Sequence, residues 1–381
     1  MAALRNLGAN HRLALQIRAA RRNHAAKADQ HPTKSTISAK CGLSAPNVKG
    51  ASQTIPESDE GSAGRRISKQ LQQLNEPANA SSDVPEVRLP FSRSANGSNC
   101  EVNPMSDEQV RWLLKVIQPE ATLASLPEGP SLDREAHAGL LGLPVEIYAT
   151  ELGRMQKEAS EAAGALLADP AVASMVDRLP LRKGDKVVAF GDSLTSDPQS
   201  WAVVLREMLA RRRGTDGISV IISAVAGETT THGLVRVANV INSRPDWILF
   251  LFGTNDARTQ GPRPTKTLVH HEETARNIAE LRQRVSGETT ANCVWITPPA
   301  VNEAQVAAHR GLARFGVRFR NEDLARVAKI VREGDGPVID AFSTLGSPPP
   351  SDLLMDDGLH FTLAGQKRMA FEVIRGWSQL Q

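Results

Sequence analysis

The sequence predicts an α/β fold: a doubly wound, five-stranded parallel sheet with helices on both faces, preceded by an N-terminal helical extension. Three observations predict it. Short apolar runs fall at 187–190, 218–224, 247–252, 293–297 and 337–339. Stretches with helical spacing of apolar residues lie between them. Each of the first three runs ends in a small polar cluster, as at the carboxyl edge of an open sheet. Runs that are apolar on both faces belong to a sheet covered on both sides. Right-handed crossovers then leave a flavodoxin-like strand order.

Taken in order, residues 1–104 are rich in Ser, Ala, Asn, Lys and Pro and show no sustained period. They read as a disordered basic leader. The first 100 residues hold 14 Lys and Arg against 7 Asp and Glu, whereas the remainder holds 31 against 35. The net charge of +3 therefore belongs to the leader. A mildly acidic body disfavours nucleic acid as its partner. Arg5, Arg12, Arg18, Arg21 and Arg22 precede the first acid, Asp29. That start fits an organelle transit peptide, beside the simpler expectation of a cytoplasmic protein with a disordered tail. No run is long enough to span a membrane. Cys41 and Cys100 stand alone in the leader and Cys293 lies in a strand-like run; with no CxxC pair, neither a zinc site nor a disulfide framework is expected.

Residues 105–180 form the helical extension. Ser106-Asp107 caps a helix carrying Val110, Leu113, Leu114 and Ile117. A loop with Pro127, Gly129 and Pro130 follows. Pro144 then opens a long helix through Ile147, Leu152, Met155, Ala159, Ala163 and Leu166, which Asp169-Pro170 breaks. This segment reads equally as a docked collar, a lid or a small separate domain. Residues 181–381 form the α/β body. There Asp197-Pro198 is expected to cap the helix of Trp201, Val204, Leu205 and Leu209. A second helix is expected from Pro264 past Leu268, Ala275, Ile278 and Leu281 to Val285, and a last one from Leu363 to about Trp377.

The polar clusters carry the chemistry. They are Gly191-Asp192-Ser193-Leu194, Ala226-Gly227-Glu228-Thr229-Thr230 and Gly253-Thr254-Asn255-Asp256; Asp357-Gly358-Leu359-His360 stands just before the last helix. In a doubly wound sheet these loops open on one edge and converge. Acyl transfer needs a nucleophile, a base, a group that orients the base and donors for the developing oxyanion. Ser193 supplies a hydroxyl and His360 an imidazole that titrates near neutrality. Asp357, three residues before His360, is placed to hold its Nδ1 and set the tautomer.

These four blocks, in this order, resemble the SGNH superfamily of GDSL esterases and lipases over roughly residues 185–378. The resemblance implies the same roles for Ser193, His360 and Asp357. It also implies that the oxyanion donors are the backbone N–H groups of Ser193 and Gly227 and the side-chain amide of Asn255. It implies a serine ester hydrolase, without metal or organic cofactor, acting through an acyl-enzyme on a small-molecule ester or an acylated carbohydrate or lipid. An acyltransferase on the same chemistry, and a non-catalytic scaffold with an anion-binding leader, are the alternatives. Thr195-Ser196-Asp197-Pro198-Gln199 departs from the pattern, since many relatives carry a glycine soon after the first block; the departure alters the mouth of the pocket.

The neighbouring polar residues have their own readings. Asp192 braces its loop and Asp256 holds the turn after Asn255. Asp356 competes with Asp357, with the three-residue spacing favouring Asp357. His232, His270 and His271 read as solvated helix histidines. Thr229 and Thr230 read as caps of the following helix, and Glu228 as a group on the rim. Arg258, three residues past Asn255, is a candidate contact for a polar or anionic substrate.

Overall fold

The structure, a computed structural model, describes residues 105–124 and 132–380, which fall in the compact unit Pro104–Gln381. The leader expected over 1–104, with Cys41 and Cys100, and the loop at Pro127–Pro130 lie outside the described residues. Helix α1 (Asp107–Val116) starts as predicted. The Ser106 hydroxyl accepts from the Gln109 N–H at 3.2 Å, and the Ser106 N–H donates back to Gln109 Oε1 at 2.9 Å. This reciprocal box satisfies two N-terminal donors that have no helical partner. Helices α2 (Pro119–Ala124) and α3 (Arg134–Leu141) follow. Helix α4 (Val145–Leu167) begins straight after Pro144. Asp169 then serves both ends of a break: it stops α4 and caps α5 (Pro170–Asp177), accepting from the Ala171 N–H at 2.8 Å. Val110 and Leu114 of α1 bury with Ala138, Leu143, Tyr148 and Met155. Further along, Ala163, Val172 and Val176 enter the main core, so the extension packs into the body.

The body begins with β1 (Lys186–Gly191), the single turn α6 (Ser193–Ser196) and α7 (Trp201–Arg212). Next come β2 (Ser219–Ala224), α8 (Thr230–Asn242), β3 (Trp247–Leu251) and α9 (His271–Glu288). Then follow β4 (Asn292–Ile296), α10 (Glu303–Ala308), α11 (Arg310–Ala313), α12 (Asn321–Glu333) and β5 (Val338–Ile339). Helices α13 (Ala341–Leu345) and α14 (Leu363–Trp377) close the chain. All five strands are parallel, in the order β2-β1-β3-β4-β5 expected for the doubly wound fold.

The period of two along each strand divides the core. Val187, Ala189, Leu249, Leu251, Val294 and Ile296 pack with α5, α7 and α14. Val188, Phe190, Ile248, Phe250 and Trp295 pack with α8, α9 and Val331 of α12. Phe250 stacks on Trp295 with ring centroids 4.1 Å apart. The order reverses between β1 and β3, so the crevice for a ligand opens at the carboxyl ends of those two strands.

Two expected helix starts move. Helix α7 begins at Trp201 with Ser200 as its cap, not at Asp197-Pro198. Asp197 instead accepts from the Gln199 N–H at 2.8 Å and pairs with Lys115 of α1. Helix α9 begins at His271, not Pro264. Leu268 keeps the helical spacing, but its N–H donates to the Arg258 carbonyl at 2.7 Å, and the Val269 N–H donates to that of Asp256. Those bonds pin the segment to the loop after β3 and override its local preference.

Candidate active site

The loops after β1 and β3 and the turn before α14 meet at the crevice. Asp192 caps α6, accepting from the Leu194 N–H at 3.1 Å, and so sets Ser193 at the first position of that turn. Ser193 Oγ lies 3.1 Å from His360 Nε2, and His360 Nδ1 lies 2.6 Å from Asp357 Oδ2. A carboxylate only accepts, so the imidazole proton sits on Nδ1 and Nε2 is left to accept from the serine hydroxyl. Asp357 Oδ1 takes the backbone N–H groups of Leu359 and His360, both at 2.9 Å. Gly358 makes this tight turn possible: its φ is 68°, and a Cβ there would lie 2.7 Å from the Asn302 carbonyl. Asp356, by contrast, is exposed.

The electrostatics follow from burial and pairing. Burial works against the His360 imidazolium, but Asp357, its hydrogen bond, Asp197 and Asp192 outweigh it, so His360 titrates above its ordinary value. Burial also works to raise Asp357, yet His360 and the two backbone N–H groups hold its carboxyl well below the usual carboxylate range. Asp192 is fully enclosed, and burial pushes its carboxyl up to about 7.

The three oxyanion candidates lie on adjoining loops. The Asn255 amide donates to the Glu228 carbonyl at 2.9 Å and stands 3.5 Å from Asp192 Oδ2. One amide proton is therefore committed to holding the loop after β2, and the other is only loosely engaged. Gly227 precedes Glu228 in that loop with φ 81°, a left-handed conformation that suits glycine, and the space on its Cβ side is open.

Several neighbours differ from expectation. Glu228 is not a rim group: it is buried in an ion pair with Arg236, both oxygens receiving Nε–H at 2.8–2.9 Å. Thr229 does start α8, its N–H donating to His232 Nδ1 at 3.1 Å. Thr230 instead binds Asp256 through its N–H, at 2.9 Å, and its hydroxyl. Asp256 also accepts from the Thr274 hydroxyl at 3.1 Å, so it ties the loops after β2 and β3 to α9 rather than bracing one turn alone. His271 is not a free solvated histidine; its Nε2 lies 3.1 Å from Asp323. Arg258 is half-buried, and among the described residues its guanidinium forms no hydrogen bond or ion pair, including with Ser193 and His360.

The residues that sequence reasoning missed come from α1. Lys115 meets Asp197 at 2.6 Å in a fully buried pair, and Trp112 Nε1 lies 3.4 Å from Asp357 Oδ2. Their only trace in the sequence is a lysine on the apolar side of α1 and the unusual Asp197 after the first block.

Residues 189–368 match the model of the GDSL-like Lipase/Acylhydrolase family. Among solved structures the chain is similar to a lipase/acylhydrolase from Enterococcus faecalis, with 24% identity over 50% of this chain and 94% of that one and a TM-score of 0.40. It is similar to a catalytic mutant of Axe2, an acetylxylan esterase from Geobacillus stearothermophilus, with 17% identity over 52% and 95% and a TM-score of 0.40. It is also similar to an alpha/beta hydrolase enzyme from the metagenome of Lake Arreo, Spain, with 20% identity over 53% and 99% and a TM-score of 0.40. No curated protein matches the chain in sequence. The family match runs from within β1 into α14 and takes in the converging loops; residues 189–368 carry a GDSL-like lipase/acylhydrolase domain, the domain of an ester-bond hydrolase.

Proposed function

We propose that the protein is a serine ester hydrolase working through an acyl-enzyme. The observation that carries this reading is the unbroken chain from Ser193 Oγ to His360 Nε2 and from His360 Nδ1 to Asp357 Oδ2. Ser193 Oγ attacks the ester carbonyl carbon while its proton passes to His360 Nε2. The carbonyl oxygen becomes an oxyanion that receives the Ser193 and Gly227 N–H groups and the loosely engaged Asn255 proton. Collapse expels the alcohol, which takes the proton from His360. Water then enters by the same steps in reverse, with His360 again the base, and releases the acid. Asp357 stays ionised throughout and keeps the imidazole in the required tautomer.

The direct test is labelling with a fluorophosphonate while following hydrolysis of p-nitrophenyl acetate. One phosphonyl adduct at Ser193, with matching loss of turnover, supports the reading; an unlabelled Ser193 in a chain that still hydrolyses the ester overturns it. Asn255→Ala is expected to lower kcat by about 10²–10³, the magnitude of one lost oxyanion donor. Steady-state kinetics check it, and a change confined to KM would remove Asn255 from that role.

The pH profile follows from the direction of the His360 shift. The neutral imidazole is the active base, and Asp357, Asp197 and Asp192 stabilise its protonated form. Kcat/KM is therefore expected to fall as pH drops through a midpoint above the ordinary histidine value of about 6.5. A rate that holds steady down to pH 5 would eliminate His360 as the base.

A further inference from the structure

Helix α1 lies outside the stretch that matches the family, yet it reaches the catalytic carboxylate. The Trp112 indole N–H points at Asp357 Oδ2 across 3.4 Å, and the ring packs by His309 with centroids 5.8 Å apart. Two further contacts set α1 in place. Lys115, one turn on, meets Asp197 at 2.6 Å, and the Ser196 hydroxyl donates to Gln118 just past the helix at 2.8 Å. Ser196 is the last residue of the turn that begins at Ser193, and Asp197 directly follows it.

We propose that Trp112 is a positioning residue of the hydrolytic centre, supplying the fourth donor to the Asp357 carboxylate that holds His360. The proposal rests on the reading of Asp357 as the group that orients the base. Oδ1 takes two backbone N–H groups at 2.9 Å, and Oδ2 takes the imidazole at 2.6 Å and the indole at 3.4 Å. Two ionised oxygens offer about four acceptor sites, so this set fills the carboxylate. The indole bond is long, and its part is to fix where Oδ2 points and to draw charge from it. Without it, Oδ2 turns more freely and pulls harder on the imidazolium. The other charged groups around His360 stay as they are: Asp357, Asp192 and Asp197, the last paired with Lys115. Beside Trp112, His309 faces the ring rather than the carboxylate.

Trp112→Phe keeps an aromatic ring and removes the N–H. It is expected to lower kcat about five-fold at nearly constant KM, the scale of one lost hydrogen bond. The acidic limb of the kcat/KM profile should move to higher pH, and the proton resonance of His360 Nδ1 should shift. Unchanged kcat, limb and resonance overturn the proposal. So does a rise in KM alone, which makes Trp112 a substrate contact. Loss of cooperative unfolding in both Trp112→Phe and Trp112→Leu also overturns it, by making the residue part of the scaffold. The resonance, compared in a Ser193→Ala background, reads the indole contact without turnover. A wild-type chain that fails to hydrolyse the ester therefore sinks the hydrolase reading separately.

Discussion

Ser193→Ala is expected to lower kcat for p-nitrophenyl acetate by about 10⁶, the loss typical of a nucleophile in a Ser-His-Asp set. The reason is geometric. His360 Nε2 has Ser193 Oγ within 3.1 Å, and no other hydroxyl is paired with that nitrogen among the described residues. An alanine leaves the base with nothing to deprotonate but water. The residual rate comes from the oxyanion donors and from binding, about 10³–10⁴ over water. The substitution removes one hydroxyl from a turn held by Asp192, so the fold survives it. Thermal unfolding of the variant alongside its kinetics separates the two effects. Turnover within ten-fold of wild type would dismantle the mechanism.

The second large effect is on stability. Lys115→Met is expected to destabilise the protein by about 3–5 kcal/mol, because it strands a buried carboxylate. Lys115 and Asp197 keep only 3% and 2% of their surfaces exposed. With the ammonium gone, Asp197 retains the Gln199 N–H at 2.8 Å and the Gln366 amide at 3.3 Å, neither of which carries charge. That loss is a large part of the roughly 5–15 kcal/mol that holds a domain together. Lys115→Met combined with Asp197→Leu should recover much of it, since no charge is then left buried. Urea unfolding of the three proteins measures this. A single variant within 1 kcal/mol of wild type would show that water or a nearby group reaches Asp197.

The sheet was legible because burial on both faces leaves a strong local record. A strand such as 187–190 is apolar at every position since neither side meets water. The last helix and the Ser106 cap were legible for a similar reason, as their signals lie within a few residues of one another. The two helix starts that moved were wrong where a distant partner claimed the backbone or the side chain. Asp197 has good cap chemistry, but Lys115 lies 82 residues before it. The Pro264 start failed because the loop after β3 takes the N–H groups of Leu268 and Val269.

The site divides in the same way. By itself the sequence determined the α/β class and the strand order, because strand ends in a parallel sheet must open on one edge, and it offered Ser193, Asp357 and His360 as candidates, with Asn255 implied by the family resemblance. Only the tertiary structure decided that Glu228 turns inward to Arg236, that Asp256 joins three segments, and that Trp112 and Lys115 lean on the segments of Asp357 and Asp197. Those outcomes depend on which side chains meet across gaps of 8 to 245 residues. Spacing along a chain constrains groups within a turn or a strand; a contact between remote segments is selected by packing, and only coordinates contain that.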